Sequence, residues 1–530
     1  MQNMKDTNYL DSEWQRSPIG RFLRWLFSWR TVRRCLLALA ALVTLVALLV
    51  AEENWRGSRA WARCKAELEA QGEPLDLKAF VPPPVPEEQN MACAPIFKAL
   101  LEYDPGTRHQ SAKAQAAQAR LSRLSPDRDL FDDKRYAKKK PWPSLGSFEK
   151  STGVHLDGWQ EFYRGNTNYP QPAQSQSAAA DVLRALSKFE PDMQELQAAA
   201  QRPWTRFPAP YMEGNPFDLL LPHLAAVKAP TRLLVLRTAA YLEAGQPQAA
   251  LADVKLALRL SESTQSDPIL ITHLVRIAML SITLQAVQDG LSRHGWNDAQ
   301  LAELEKALAP INMLAEYKYT MRGERAYGLA GLDYYQAHGW PKSDLNDLEG
   351  GSAPTRFFNI LPTGWVCQNK ALIARLHQKF TLAAVDEKAQ RVAPDVVDQM
   401  DKELVAMRRT PHNIFAKLLF PAVASVSQKS ARAQTLVNQA RIACALERYR
   451  LAHGQWPDKL EAMVPPFLAK LPHDLMDGQP LRYRTEDGGY VLYSVAWNQR
   501  DDGGNLVFRK DDPKRVDPRQ GDWVWRMPLK

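Results

Sequence analysis

TRLLVLRTAAYLEAGQPQAALADVKLALRLSES, residues 231–263, decides the fold class. Ala240, Tyr241, Ala249, Ala250, Leu251, Ala257 and Leu258 fall at helical spacing on either side of Gly245. That pattern predicts two antiparallel helices joined by a tight turn, with small residues at the contact allowing close approach. The same periodicity continues outward. AAADVLRALSKFEPDMQELQAAAQ (178–201) spaces Val182, Leu183, Leu186, Phe189 and Leu196 for a helix pair broken at Pro191. Helices are predicted over 268–293 and 297–309, the second capped by Asn297 or Asp298. A loop follows at 346–365, then helices over 367–407 and 412–452, the latter interrupted near Pro421. The expected class is mainly α: an array of helical hairpins over 176–430.

The 231–263 pair resembles one tetratricopeptide repeat. A single repeat cannot bury its own face, and no second copy recurs at a fixed spacing. An irregular helical domain and a repeat solenoid both remain open.

CLLALAALVTLVALLVA, residues 35–51, is the one long run without charge. At 1.5 Å per residue it spans about 25 Å, the short end of a membrane-crossing helix. Arg30, Arg33 and Arg34 precede it, Glu52 and Glu53 follow, and Trp25, Trp29 and Trp55 flank it. Basic residues stay on the cytoplasmic side and indoles favour the interface. The expectation is an inner-membrane anchor with residues 1–34 a cytoplasmic basic tail and the bulk periplasmic. A cleaved signal peptide is the competing reading, but Leu49-Val50-Ala51 lacks the small upstream residue of a cleavage site. Beyond the anchor, residues 52–175 read as a membrane-proximal helix over 54–72, a Pro-rich spacer (FVPPPVPEEQN, 80–90) and a long loop over 104–150.

With 45% hydrophobic residues the 530-residue chain has ample material for a core. Its net charge of +9 is concentrated in the N-terminal tail and in Lys134, Arg135, Lys138, Lys139 and Lys140, so no nucleic-acid partner is expected. Of five cysteines, four would lie outside the cytoplasm, where disulfides persist. Cys64–Cys93 and Cys367–Cys444 is the favoured pairing of three, with buried free thiols as the alternative.

The last hundred residues (431–530) carry a different pattern. A helix over 433–454 ends at Gly454, and QWPDKLEAMVP follows with a short helix holding Leu460 and Met463. Leu481 and Tyr483, then Tyr490 to Tyr493, read as two strands joined at Asp487-Gly488-Gly489, and GDWVW (521–525) as a last strand. ALERYRLAHGQWP, DGQPLRY and YVLYSV before an Asp/Gly-rich loop together resemble the globular α+β head of the major pseudopilin of type II secretion systems. The resemblance implies calcium in that loop, an ion that wants six to eight oxygens. Carried over by position, its ligands are the Val495 carbonyl, Asn498 and Asp522, with Asp501 and Asp502 as nearby substitutes. Asn498 stands where the family has an aspartate, and the chain does not open with a pseudopilin leader. It therefore does not read as a pilus subunit. As a whole it resembles large bacterial single-pass membrane proteins carrying such a head, a likeness that implies no particular activity.

No HExxH, GxSxG, GxxxxGK[ST] or strand-borne GxGxxG occurs. MRGERAYGLAGLDYY (321–335) groups Arg322, Glu324 and Arg325 as an interhelical ion-pair network or a polar pocket. Two functions follow: a non-enzymatic scaffold binding other envelope proteins, or an anchored hydrolase acting on envelope polymers with Glu324 as general base.

Overall fold

A computed structural model describes residues 17–528 apart from 27, 105–109, 127–142, 148–149, 208, 210, 212, 340–361, 487 and 513–514. The basic run 134–140 and most of the 346–365 loop lie outside the described residues. The chain is mainly helical, 62% helix against 8% strand, with its largest sheet near the C-terminus.

The helices are α1 (Pro18–Leu26), α2 (Trp29–Ala70), α3 (Ala112–Ser122), α4 (Leu156–Arg164), α5 (Ala178–Leu186), α6 (Glu190–Ala200), α7 (Pro222–Glu243), α8 (Pro247–Glu262), α9 (Leu270–Ser292), α10 (Asp298–Leu308), α11 (Met313–His338), α12 (Thr363–Leu376), α13 (Pro394–Ala406), α14 (Ile414–Ala424) and α15 (Val426–His453). Local chemistry sets many of their starts. Ser111, Ser177 and Asn312 each accept a first-turn backbone N–H, and Asn297 forms a full capping box with Gln300. Gly245, at φ +69°, reverses the chain between α7 and α8. Gly454, at φ +78°, ends α15 in the left-handed conformation a side chain resists.

The helix carrying the apolar run is longer than the sequence pattern indicates. The apolar run and the helix expected over 54–72 are one uninterrupted 42-residue helix, α2. No glycine-proline break separates them, and Glu52, Glu53 and Asn54 are tolerated within an exposed helix. Its outer half lies alongside α12. There Gly57 and Gly364 bring the two backbones together: a methyl on Gly57 would overlap the Gly364 carbonyl, and one on Gly364 the Glu53 carbonyl. Cys64, Leu68 and Leu75 then pack with Leu329 of α11 and with Ala371 and Ala374 of α12.

One continuous cluster forms the main core, running from Met91 through α4 to α10 and on to α15 and the C-terminal strands. α15 contributes Leu436, Val437, Ala440 and Cys444 to it, and the strands contribute Leu492, Trp525 and Met527. A helix-straddling boundary at 430/431 thus falls inside α15, which packs on α9, α10 and α11 as well as on the sheet. A second core joins α11, α12, α13 and α14 to Val495, Trp497 and Trp523.

The strands are β1 (Val385–Asp386), β2 (Arg391–Val392), β3 (Arg482–Glu486), β4 (Gly489–Ser494), β5 (Leu506–Phe508), β6 (Val516–Gly521) and β7 (Trp523–Met527). β3, β4 and β7 make an antiparallel sheet with β4 central, Tyr483 opposite Leu492 and Leu492 opposite Trp525. Every residue of β4 is buried. The small β1–β2 hairpin interrupts the helix expected over 367–407. The predicted strand at 521–525 is instead two strands, β6 and β7, meeting at Gly521-Asp522.

Among the described residues three helices, not one, are long and apolar enough to cross a membrane: α2, the stretch Pro216–Glu243 that contains α7, and α9. They differ in what covers them. None of the most apolar 18-residue window of α2 is buried, against 61% in each of the others.

Gly57→Val should wedge α2 from α12 and lower stability by about 1–3 kcal/mol. Ala66→Val, exposed on the same helix, should change it by less than about 0.5 kcal/mol. Thermal unfolding of the full-length protein in detergent distinguishes the two.

Candidate functional site

Four places gather polar chemistry. The first is the exit of α2 from its apolar run. The Glu53 carboxylate accepts hydrogen bonds from Trp365 Nε1 at 3.0 Å, Gln368 Nε2 at 3.2 Å and His412 Nε2 at 3.1 Å, and pairs with Arg56 at 2.8 Å. Asn54 Oδ1 accepts the Gly364 N–H at 2.9 Å. These bonds fix the body of the protein against the helix at the residue where the apolar run ends.

The second is the 321–335 cluster. Arg322 and Arg325 both turn to Glu73, a residue the sequence pattern does not single out because it sits almost 250 positions away. Arg322 Nη2 lies 2.9 Å from Glu73 Oε1, and Arg325 Nη2 lies 2.8 Å from Oε2. Burial works against the Glu73 charge, but the two guanidinium groups outweigh it and hold its carboxyl below the usual carboxylate range. Arg325 is fully buried and also donates to the Pro74 carbonyl. Glu324 stands apart from this pair. Its carboxylate accepts the Leu270 N–H at 2.9 Å and so caps the first turn of α9. Burial raises its pKa, and the Leu270 bond offsets part of the rise. The cluster is an ion-pair network plus a helix cap, and the general-base role expected for Glu324 has no carboxylate partner among its hydrogen bonds and ion pairs.

The third is the Asp/Gly-rich loop between β4 and β7. Of the residues the resemblance implies, Val495, Asn498, Asp501 and Asp502 lie on the segment between β4 and β5, and Asp522 lies between β6 and β7. Asp522 is buried, and its two oxygens accept the Asp502 and Gly504 N–H groups at 3.3 and 2.7 Å. Asn498 Nδ2 donates to Asp502 Oδ2 at 2.8 Å, and Asp501 Oδ1 accepts from Tyr493 Oη and the Gly503 N–H. Burial pushes the Asp522 carboxyl up to about 6; the backbone N–H groups oppose this, and the like charges of Asp502 and Asp501 add to it. Among the described residues no three His, Cys, Asp or Glu side chains converge on a common point. A calcium ion here would draw on the Val495 carbonyl and Asn498 Oδ1 beside the carboxylates, and would displace protein donors that now hold them. Next to the loop, Asp474 is a structural carboxylate: it accepts from Ser494 Oγ, the Val495 N–H and the Met476 N–H, and pairs with Arg482.

The fourth is a groove of about 530 Å³ between α6, α8 and α10. Leu251 and Leu256 form its apolar floor, and Gln197, Gln201, Lys255 and Glu303 its rim. Lys255 pairs with Glu303 across it.

The cysteine pairs expected from sequence are not formed; all five thiols are free. Cys64 lies between α2 and α12 with its thiol 3.6 Å from the Ala371 carbonyl, whereas Cys93 sits beside Met91, Ala92 and Ala94 at the edge of the main core. Cys367 is on the α2–α12 side of the body, and Cys444 is inside the main core, where burial pushes its thiol up to about 12. The helices separate residues that a loop-closure argument had placed together.

No protein-family model, curated protein or solved structure matches the chain.

Glu73→Ala strands the buried Arg325 and should cost about 3–5 kcal/mol. Glu324→Gln keeps an acceptor for Leu270 and should cost about 1 kcal/mol or less. Chemical denaturation of both variants measures the difference.

Proposed function

We propose that this chain is a single-pass membrane protein of the bacterial envelope, with its N-terminus cytoplasmic and its body in the periplasm, acting as a non-enzymatic scaffold. The observation that carries the reading is α2. Burying apolar surface is worth about 25 cal/mol per Å², and α2 leaves Leu36, Leu37, Leu39, Leu42, Val43, Leu45, Val46, Leu48 and Leu49 all at least half exposed. A bilayer is the solvent that suits such a surface. α7 and α9 are less apolar, with mean hydropathy 1.4 and 1.6 in their best windows against 2.6 in α2, and turn most of those windows into the core. Arg30, Arg33 and Arg34 on one side and Glu52 and Glu53 on the other set the orientation.

The C-terminal region is read as a pseudopilin-type head. That is supported by α15 ending at Gly454, packed on the antiparallel β3–β4–β7 sheet, with an Asp/Gly loop following β4. Calcium in that loop belongs to the same reading and is supported by the buried Asp522 carboxylate bonding the Asp502 and Gly504 N–H groups beside Asp501 and Asp502. The α7–α8 hairpin is read as tetratricopeptide-like, and the groove between α6, α8 and α10 as the surface offered to another envelope protein. Its apolar floor and polar rim suit a peptide segment.

A reporter fused after Lys530 should be active only if exported, and the protein should resist carbonate extraction; a cytosolic or washable product would overturn the anchor. A photo-crosslinker at Gln201 should yield discrete adducts in membranes, and one at the exposed Ala66 should not.

Asp522 gives a second test. A carboxyl raised above its ordinary 3.8 weakens the fold as pH climbs from about 4 through about 6, because the unfolded chain ionises first. Calcium should relieve that penalty. Millimolar calcium should raise Tm by several degrees at about pH 7.5, lose its effect near pH 5, and have none on Asp522→Asn.

A further inference from the structure

A cleft of about 550 Å³ opens where the helical body meets the C-terminal region. The 309–312 link leading into α11, the β1–β2 hairpin, the middle of α15 and the 469–473 segment surround it. Its volume is within the range of small-molecule sites.

The floor is a chain of amides with one open end. Gln434 Oε1 accepts the Met313 N–H at 2.7 Å, and Gln434 Nε2 donates to Asn438 Oδ1 at 3.1 Å. That leaves Asn438 Nδ2 without an acceptor among the described residues, although Asn438 is only 6% exposed and lines the cleft. That N–H2 opens onto the cleft, where a ligand oxygen can replace water as its acceptor. Asn312 and Gln390 are already engaged: Asn312 Oδ1 takes the Ala315 N–H and Gln390 Nε2. His473 Nε2 is bonded to the Ala389 and Gln390 carbonyls and holds the hairpin to the rim.

The rim is cationic. Lys388 and Lys470 are exposed there and form no ion pair among the described residues. Arg441 is neutralised by Glu305 at 2.8 Å, and Glu387 is the carboxylate of the lining. The α11 N-terminus adds its partial positive charge.

We propose that this cleft binds a small anionic, hydroxyl-rich ligand, a sugar carrying a carboxylate or a phosphate. Its acid group lies between Lys388 and Lys470, and a hydroxyl or ring oxygen accepts from Asn438 Nδ2. The inference does not use the membrane reading, the head or the calcium loop.

Calorimetric titration of the full-length protein in detergent with galacturonate, glucose 6-phosphate and glucose tests it. At least one of the two acids should bind, more weakly as salt rises, and which one binds identifies the acid group. Glucose should bind at least about tenfold more weakly. Lys388→Gln/Lys470→Gln, two surface changes that leave the fold intact, should weaken the acid about tenfold or more. Asn438→Ala should weaken it without altering the salt dependence. No heat from either acid, glucose binding as tightly as the acids, or unchanged affinity in the double-lysine variant would each overturn the proposal.

Discussion

The close approach of Gly57 to Gly364 is the constraint on which the architecture rests. With no side chains between them, the α2 and α12 backbones meet directly, and Glu53 and Asn54 then bond to residues of α12 and to His412. A long apolar helix would otherwise be free to swivel relative to the body. Here about 25 Å of its outer half is gripped at one end by the Glu53 bonds, and the chain just beyond its other end by the Glu73–Arg322–Arg325 network. The body cannot turn about this helix without breaking both.

From that strut the rest of the packing follows. α11 meets α2 and α12 through Leu329, and extends through Tyr317 and Met321 into the second core. α15 lies against α11 and carries the C-terminal sheet on its other side. Gln439, buried in α15, donates to the Trp523 carbonyl at 2.7 Å and so ties helix to strand. The sheet is therefore a continuation of the helical body, sharing its hydrophobic core, rather than a bead on a linker.

Charge is distributed by the same economy. Buried ions are paired, as in Arg276 with Glu316 and Arg237 with Asp253. The half-buried Glu324 carboxylate serves a backbone N–H group, that of Leu270. Two positions depart from this rule in opposite ways. The Asp522 loop brings Asp501, Asp502 and Asp522 together, and the cleft beside Asn438 leaves Asn438 Nδ2 without an acceptor among the described residues. Both are places where a ligand of the opposite character would complete the pattern.

The sequence by itself determined the helical class, the apolar run, the caps at Asn297 and Gly454, and the β3–β4 hairpin, because periodicity, capping and turn chemistry act within a few residues of one another. It also brought Asn498, Asp501, Asp502 and Asp522 to notice as a set. Only the tertiary structure decided that α2 runs unbroken past the apolar segment, that α7 and α9 turn most of their apolar windows into the core, that Glu73 answers Arg322 and Arg325, that the thiols stay apart, and that the β1–β2 hairpin lines a cleft. Each of those depends on partners tens to hundreds of residues away, such as Gly57 with Gly364 or Met313 with Gln434, and no local pattern encodes which distant surface a helix face will meet.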